Sequence, residues 1–520
     1  MTPNQLKKFA AERFSKQGRV LSLWQTLAEH FYPERADFTH VHNVGEELGI
    51  GLASSTPVIM RRDLGNSFEA VLRDGDWFKM GVNTTPDHMG DAWLEFGTDR
   101  MMKLMNHRSA NFRRSTKEGD HDYATFGNAV ISVEPNRFAT GLLFRSWHLR
   151  DCAWWDGDEG QVDGLVRKWT PKLHEAVTYF GKDNLHSDIQ KKLSDGKLFD
   201  EMDIRHFDMT SVMYDDDQFM KHNRVSVFLD VVNEVIIKIE GRRSKTYVVP
   251  RFQTLAGSPY AYSLATIVGL PEARTLQAMT HTLLEAGERI ARPPLIAVEK
   301  VIRGDANLFS DGITTIADDY DQRGGPAIEP LKMNNGGFPY GLEMKDGIVD
   351  VLASAFYLDK ISLPETTHEM TAYEVQERMK QYRRENLPLF TPVEHEYNGQ
   401  LCETAFNILM DMGLLGSHQD IPESLRDKEV IFHFQSPLSQ SDEEKKATTF
   451  SQVSQMLAEA AQFDDTVSMN VDFDQALRDS INGIGAPTSW LNQIEQVQQK
   501  RQQHQMAAAV SAEQELEAQR

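Results

Sequence analysis

The sequence predicts an α+β chain that is mainly helical, and three observations carry that reading. Apolar residues recur at helical spacing in stretches of the first hundred residues and again from residue 271 onward. Between about residues 127 and 252, short β-type runs bounded by Asn, Pro and Gly take over. After that, helical segments are separated by a Gly- and Pro-rich insert and then by a polar loop, an unusual order.

Taken in order, residues 1–32 read as one or two helices. In "LWQTLAEHFYPERADF" (23–38), Leu23, Trp24, Leu27, Ala28 and Phe31 form one apolar stripe. Pro33 cannot continue the helix, and Tyr32 before it is biased toward extended geometry. Glu34, Arg35 and Asp37 fall in the exit turn, so this stretch reads as packing that buries its Trp. Residues 55–80 read as helical to Leu72 with a turn at Asp74-Gly75-Asp76, and Trp93–Met105 as a further helix whose Met-rich face belongs to a core. Strand-like runs follow at Asn128–Asn136 and Leu142–Asp151, and the β-rich region is expected to continue through His174–Phe180. Arg224–Gly241 reads as a hairpin turning near Asn233-Glu234, and Lys245–Phe252 as a strand that Pro250 ends.

A helix then starts at Pro271, with Glu272 near its positive end. Leu276, Met279, Leu283, Ala286 and Ile290 repeat in 4/3 spacing, a narrow seam suited to packing beside similar helices. Arg292-Pro293-Pro294 ends it. Residues 292–339 are rich in Gly, Pro and Asp, with short β runs. A second helix is expected over about 342–358, then a polar loop over 359–370 containing Pro364. Thr371-Ala-Tyr-Glu374 is a capping box that restarts a helix, with Met370 and Val375 placed as its staple. Another capping box, Ser441 to Glu444, opens a helix carrying Phe450, Val453, Met456 and Leu457; the residues from Trp490 are Gln- and Ala-rich.

At 520 residues the chain has room for two to four domains. Its 55 Lys and Arg against 77 Asp and Glu leave a formal charge of −22. A protein that grips nucleic acid by its phosphates is usually basic, so this chain repels DNA on average. The two cysteines, Cys152 and Cys402, lie far apart and form no CxxC, which offers neither a zinc spacing nor a disulfide framework and fits a reducing compartment. The first eight residues lack the apolar core of a signal peptide, and no apolar run reaches about 18 residues, so no membrane association is expected.

Catalytic signatures are sparse. There is no phosphate-binding loop: Gly181-Lys182 and Gly196-Lys197 are followed by Asp and Leu where Ser or Thr is needed. His368-Glu369 has no second His at i+4. The acid runs Asp215-Asp216-Asp217 and Asp318-Asp319-Tyr320-Asp321 have the chemistry for Mg²⁺, but solvated loops are their plainer reading in so acidic a chain. No catalytic, metal or cofactor residue is assigned, and no enzyme activity is expected.

Several islands, in order, carry a resemblance. They are "LWQTLAEHFYPERADFT", "YATFGNAVISVEPN" (123–136), "VVPRFQTLAGSPYAYSLATIVGLPEARTLQAM" (248–279), "RPPLI" (292–296) and "MTAYEVQERM" (370–379). Together, over about residues 20–415, the chain resembles the portal proteins, or head-to-tail connectors, of short-tailed bacteriophages. The resemblance implies a phage portal fold with wing, stem, clip and crown, assembled as a homo-oligomeric ring of twelve copies around a DNA channel at one capsid vertex. On that reading residues 1–270 are the N-terminal wing region, 271–291 one stem helix and 292–339 the clip. Residues 340–358 are the second stem helix, 359–370 the channel loop, 371–440 the wing helix region and 441–520 a crown-like helical region. Leu276, Met279, Leu283 and Ile290 would form the inter-subunit stem seam. Asp318, Asp319, Asp321 and Arg323 would meet the tail adaptor. Asp359, Lys360, Pro364, Glu365 and Glu369 would face DNA, with Lys360 as a weak phosphate contact, although an ordinary solvated lysine is its plainer reading. Implied partners are the terminase packaging motor, a tail adaptor, the major capsid and scaffolding proteins, and double-stranded DNA passing without sequence specificity. The location is the virion, after synthesis in the host cytoplasm. The competing readings are a tail adaptor and a metal-dependent DNA-processing enzyme.

Overall fold

The structure, a computed structural model, describes residues 1–43, 45–73, 75–84, 87–297, 302, 315–317, 321, 323, 325–331, 337–358, 391–416, 420–434, 442–460, 471–484, 497 and 499–503. The chain is a mixture of helix and sheet, as the sequence predicts, and divides into two compact units. The first comprises Met1–Leu21, Gly65–Ser263 and the chain from Lys360 onward; the second comprises Ser22–Leu64 and Leu264–Asp359.

The first unit is organised by a five-stranded antiparallel sheet. Its strands are β4 (Cys152–Asp156), β5 (Val162–Trp169), β6 (Ile204–Thr210), β7 (Arg224–Asp230) and β8 (Val235–Arg242), laid side by side in chain order. Alternation along the strands sorts their side chains between two faces. Ala153, Trp155, Val166, Phe207, Val225, Val227 and Leu229 pack with Leu6 and Ala10 of helix α1 (Pro3–Phe31). Ile204, Phe228 and Ile237 on the other face pack with Leu173, Ala176 and Phe180 of helix α5 (Leu173–Phe180) and with Ile189 of α6 (Ser187–Ser194).

Helix α5 corrects the expectation of a β run at His174–Phe180. Leu173, Ala176 and Phe180 sit three and four residues apart, a helical stripe whose first member lies just outside the run read as β. The Lys172 N–H donates to Glu175 Oε2 at 3.1 Å, satisfying a donor at the helix start, and Gly181 ends the helix.

Smaller sheets complete the unit. β2 (Ile131–Pro135) lies between β3 (Leu142–Ser146) and β9 (Tyr247–Val248), and the buried helix α4 (Phe112–Phe126) packs on this sheet through Ser115 Oγ, which donates to the Phe144 carbonyl at 2.8 Å. Helix α4 stops at Gly127, whose φ is +72°; a Cβ there would stand 2.5 Å from the Tyr262 carbonyl carbon. β1 (Phe78–Val82) pairs with β14 (Val430–Phe434), Phe78 opposite Phe434.

In the second unit, the stretch 23–38 is packing, as its periodicity predicts. Trp24 and Phe31 are buried, with Trp24 5.7 Å from Phe38 and Phe31 5.6 Å from Phe356 between ring centres. Pro33–Arg35 form one 3-10 turn. The buried Gln25 pins that exit, donating to the Ala36 carbonyl at 2.8 Å and accepting from the Phe38 N–H at 2.9 Å.

The unit's long elements are α8 (Leu270–Ala291), entered through a π-helical turn at Ala265–Gly269, and α9 (Phe338–Ala355). A Cβ on Gly269 would touch Phe356 at 3.4 Å, and one on Gly341 would meet Leu283 at 2.9 Å, so α8 and α9 pack side by side in opposite directions. Beyond Ala291, β12 (Leu295–Ala297) pairs with β13 (Ile328–Pro330).

Candidate functional site

The residues read from the sequence as functional fall on three places, and the structure describes two of them. The first is the α8–α9 pair. Leu276 is fully buried within the chain itself, Met279 and Leu283 are half-buried, and Ile290 is exposed. Leu276 therefore has no exposed surface in the single chain. The physical reason is that the return helix in the same chain supplies much of the packing that the 4/3 seam asks for, with Leu283 lying over Gly341.

What the pair does present is a different set of apolar side chains. Leu284 and Ile290 on α8, Ile296 on β12, and Tyr340, Met344 and Val351 on α9 are all exposed, Tyr340 by 66%. Tyr340, Met344 and Val351 fall at i, i+4 and i+11, on one stripe of α9. Exposed apolar side chains in such number on one structural unit point to an interaction surface. A second stripe of α9 is acidic: Glu343, Asp346 and Asp350, at i, i+3 and i+7, are exposed.

The second place is the insert between the helices. Asp321 and Arg323 are exposed, and Asp321 Oδ1 accepts the Arg323 N–H at 3.0 Å, which makes a local turn. Asp318 and Asp319 lie outside the described residues. So does the third place: Asp359, Lys360, Pro364, Glu365 and Glu369, together with the capping box at 371–374 and the His368-Glu369 pair.

Two buried electrostatic features of the first unit were not legible in the sequence. Arg73 Nη1 donates to both oxygens of Asp120 at 2.9 and 2.7 Å, and Arg73 Nε donates to Asn398 Oδ1 at 2.8 Å. The Arg73 guanidinium lies 4.6 Å from the Tyr397 ring centre, and both charges are buried. Burial pushes the Asp120 carboxyl up, and Arg73 pulls against it. In the five-stranded sheet, His206 contacts the Tyr247 hydroxyl and Ser226 Oγ and stacks on Phe228 at 4.0 Å. Burial, with help from Arg167, Arg242 and Lys238, holds its pKa well below the ordinary range. The Arg73 partners lie 47 and 325 residues away in sequence, and no local pattern announces contacts of that kind.

Among the described residues, no three His, Cys, Asp or Glu side chains lie together as metal ligands, and no helix is long and apolar enough to cross a membrane. Asp215 is exposed in a left-handed turn after a short helix, and Asp216 Oδ1 accepts the Gln218 N–H at 3.1 Å. Cys152 and Cys402 are buried free thiols.

Comparison with known proteins bears on these surfaces. The family described as bacteriophage head to tail connecting protein matches residues 4–491. The portal protein of Salmonella phage epsilon15 is 20% identical over 497 residues, covering 91% of this chain and 85% of the relative. The probable portal protein of Bordetella phage BPP-1 is 22% identical over 447 residues, covering 81% and 76%. A chain from a solved virion of a native gene transfer agent particle overlays with a TM-score of 0.37 and 10% identity, covering 84% of this chain and 91% of the other; at that score the overlay carries no argument.

Proposed function

The chain belongs to the bacteriophage head to tail connecting protein family, and from that premise we propose that it is a portal protein: the ring-shaped channel through which a short-tailed phage packages and ejects its DNA. The carrying observation is the family match over residues 4–491, joined by two relatives named as portal proteins that align with most of the chain. The tail-adaptor and DNA-processing readings gain no support from these relatives. The role is structural, without catalysis by this chain.

In this reading residues 1–270 form the N-terminal wing region, 271–291 and 340–358 the stem, 292–339 the clip, 359–370 the channel loop, 371–440 the wing helix region and 441–520 the crown. The exposed stripe Tyr340–Met344–Val351 is the surface that a neighbouring copy covers, with Ile290 kept from the original seam. The stripe Glu343–Asp346–Asp350 faces the duplex and repels it, which lets DNA slide where cations would hold it. Twelve copies close the ring at a capsid vertex. The terminase motor, and later the tail adaptor, dock on it; Asp318, Asp319, Asp321 and Arg323 serve the adaptor contact. Capsid and scaffolding proteins surround it in the virion, after synthesis in the host cytoplasm.

The test is native mass spectrometry of the purified chain with end-on electron microscopy. A closed ring is the expected result, and Tyr340→Asp with Val351→Asp should reduce assembly, because contact with a neighbour would bury unpaired charge. A chain that stays monomeric at micromolar concentration under every assembly condition would remove the proposal.

A further inference from the structure

The second unit has an open pocket of about 470 Å³ between the end of α1 and the loop that follows it. Pro33, Leu48 and Leu52 give it an apolar lining, and the exposed Glu29, Glu46 and Glu47 give it acidic groups. The loop is braced at both ends. At one, the His42 N–H donates to Asp37 Oδ1 at 3.0 Å. At the other, Gln277 of α8 accepts the Ser54 N–H at 2.8 Å and donates to the Ser54 carbonyl at 2.7 Å. Between them Gly49, at a φ of +75°, lies so close that a Cβ would touch Leu52 at 3.4 Å and Pro33 at 3.8 Å. The pocket is thus built before anything enters it.

The β2–β3 turn of the first unit carries the matching chemistry. Phe138 is 80% exposed, the highest value of any large apolar side chain among the described residues. The turn that holds it is stiff. The Asn136 N–H donates to the Gly141 carbonyl at 2.8 Å, the Ala139 N–H to the Asn136 carbonyl at 2.9 Å, and the Thr140 N–H to Asn136 Oδ1 at 2.9 Å. These bonds hold Ala139 at a φ of +50°, a conformation that residues with a Cβ rarely adopt. A ring on so stiff a turn loses little freedom when it is covered. Arg137 beside it is exposed and forms no ion pair within the described residues.

Charge selects this ring over the other exposed ones. Phe96, Phe199, Tyr340 and Phe473 each have an Asp or Glu within three residues, which would meet Glu29, Glu46 and Glu47 with repulsion. Tyr179 already packs on Trp169 and Phe228. Phe138 has Arg137 instead, and an arginine stem beside a ring suits an apolar lining rimmed by carboxylates. The turn and the pocket are different surfaces of one chain, so their contact between copies is head-to-tail, the kind that closes into a ring. We infer that Phe138 of one copy inserts into this pocket on a neighbouring copy, against Pro33, Leu48 and Leu52, while Arg137 pairs with the carboxylates at its rim. The inference rests on the ring proposed above.

The test joins two copies chemically while leaving Phe138 in place. Ala139→Cys and Ile50→Cys, the latter an exposed residue of the pocket lining, are carried on separate full-length chains and co-expressed. A short bis-maleimide should join them into a species of twice the chain mass on a denaturing gel; Cys152 and Cys402 are buried and keep the background low. Ile50→Cys with Val232→Cys, exposed on another turn, should not be joined. Phe138→Ser on the Ala139→Cys chain should lower the joined fraction about tenfold, and Arg137→Glu several-fold. Glu47→Arg on the Ile50→Cys chain should restore part of the loss caused by Arg137→Glu. These positions are exposed, so each variant should keep the wild-type thermal transition. End-on electron microscopy of the same samples separates this contact from the ring itself. Rings without joined pairs, or joining that Phe138→Ser leaves unchanged, would overturn the inference while the ring stands. Joined pairs without rings would keep the contact and remove the ring, and neither rings nor pairs would remove both.

Discussion

Arg73 and Asp120 illustrate how much can rest on one side chain. The pair is buried, doubly hydrogen-bonded and joined to Asn398, so removing either member strands the other charge away from water. Arg73→Met should destabilise the protein by about 3–5 kcal/mol, read as a lower urea midpoint. Arg73→Met combined with Asp120→Leu should cost less than Arg73→Met alone; an additive double loss would show that the stranded carboxylate is not the cause. His206 makes a second test, through pH. Its pKa is held well below the ordinary histidine range in the folded chain, so below about pH 6.5 the unfolded chain takes up a proton that the folded chain refuses. Stability contributed by the neutral ring is present above that pH and is lost as pH falls, by about 1.4 kcal/mol per unit. Urea midpoints between pH 7 and 5.5 should fall for the wild type and fall less steeply for His206→Gln. Equal slopes would remove His206 from the account.

The α8–α9 pair is the element on which local and tertiary signals part company. Gly341 gives Leu283 its place, since a Cβ would stand 2.9 Å from Leu283 Cδ2. Gly341→Val should cost about 1–3 kcal/mol, and Leu283→Ala in the same chain should recover part of that loss; thermal unfolding of the single and double variants checks it. The 4/3 period of α8 was legible, because periodicity is local. Whether that stripe met a second copy or the chain's own return helix was not, because the partner lies beyond a long insert. Boundaries set by backbone chemistry were legible too: α8 ends at Ala291 before Arg292-Pro293-Pro294, and the β7–β8 hairpin turns at Asn233-Glu234, where Glu234 takes a φ of +52°. His174–Phe180 was misread because a short apolar run fits both periods until Leu173 is included. β1 and β14 went unread, each being five residues long with its partner far away in sequence. The buried ion pairs were hidden for the same reason.

For the whole molecule, the acidic balance is the property that a conduit needs and a DNA-gripping protein lacks. Each copy carries a formal −22, and α9 concentrates exposed carboxylates at Glu343, Asp346 and Asp350. Replacing those three by Gln, Asn and Asn should leave assembly intact, because the apolar stripe is untouched. The variant should hold duplex DNA more tightly than wild type at low salt, with the difference fading as salt rises, as a gel-shift titration would record. Unchanged DNA retention would place the stripe away from the duplex. The pairing of β1 with β14 has a consequence for how the protein is made. Phe78–Val82 cannot find its ladder partner until Val430–Phe434 has left the ribosome, roughly 20–70 s later at ordinary rates of synthesis. Throughout that interval Trp77 and Phe78, both buried in the finished protein, lack the aromatic ring of Phe434 that stacks on Trp77 and the strand that pairs with Phe78. A nascent chain with such an open strand edge is a template for pairing with the next nascent chain on the same message. The fold is therefore most vulnerable while it is being translated, and the last strand of this small sheet is also the one that removes its hazard.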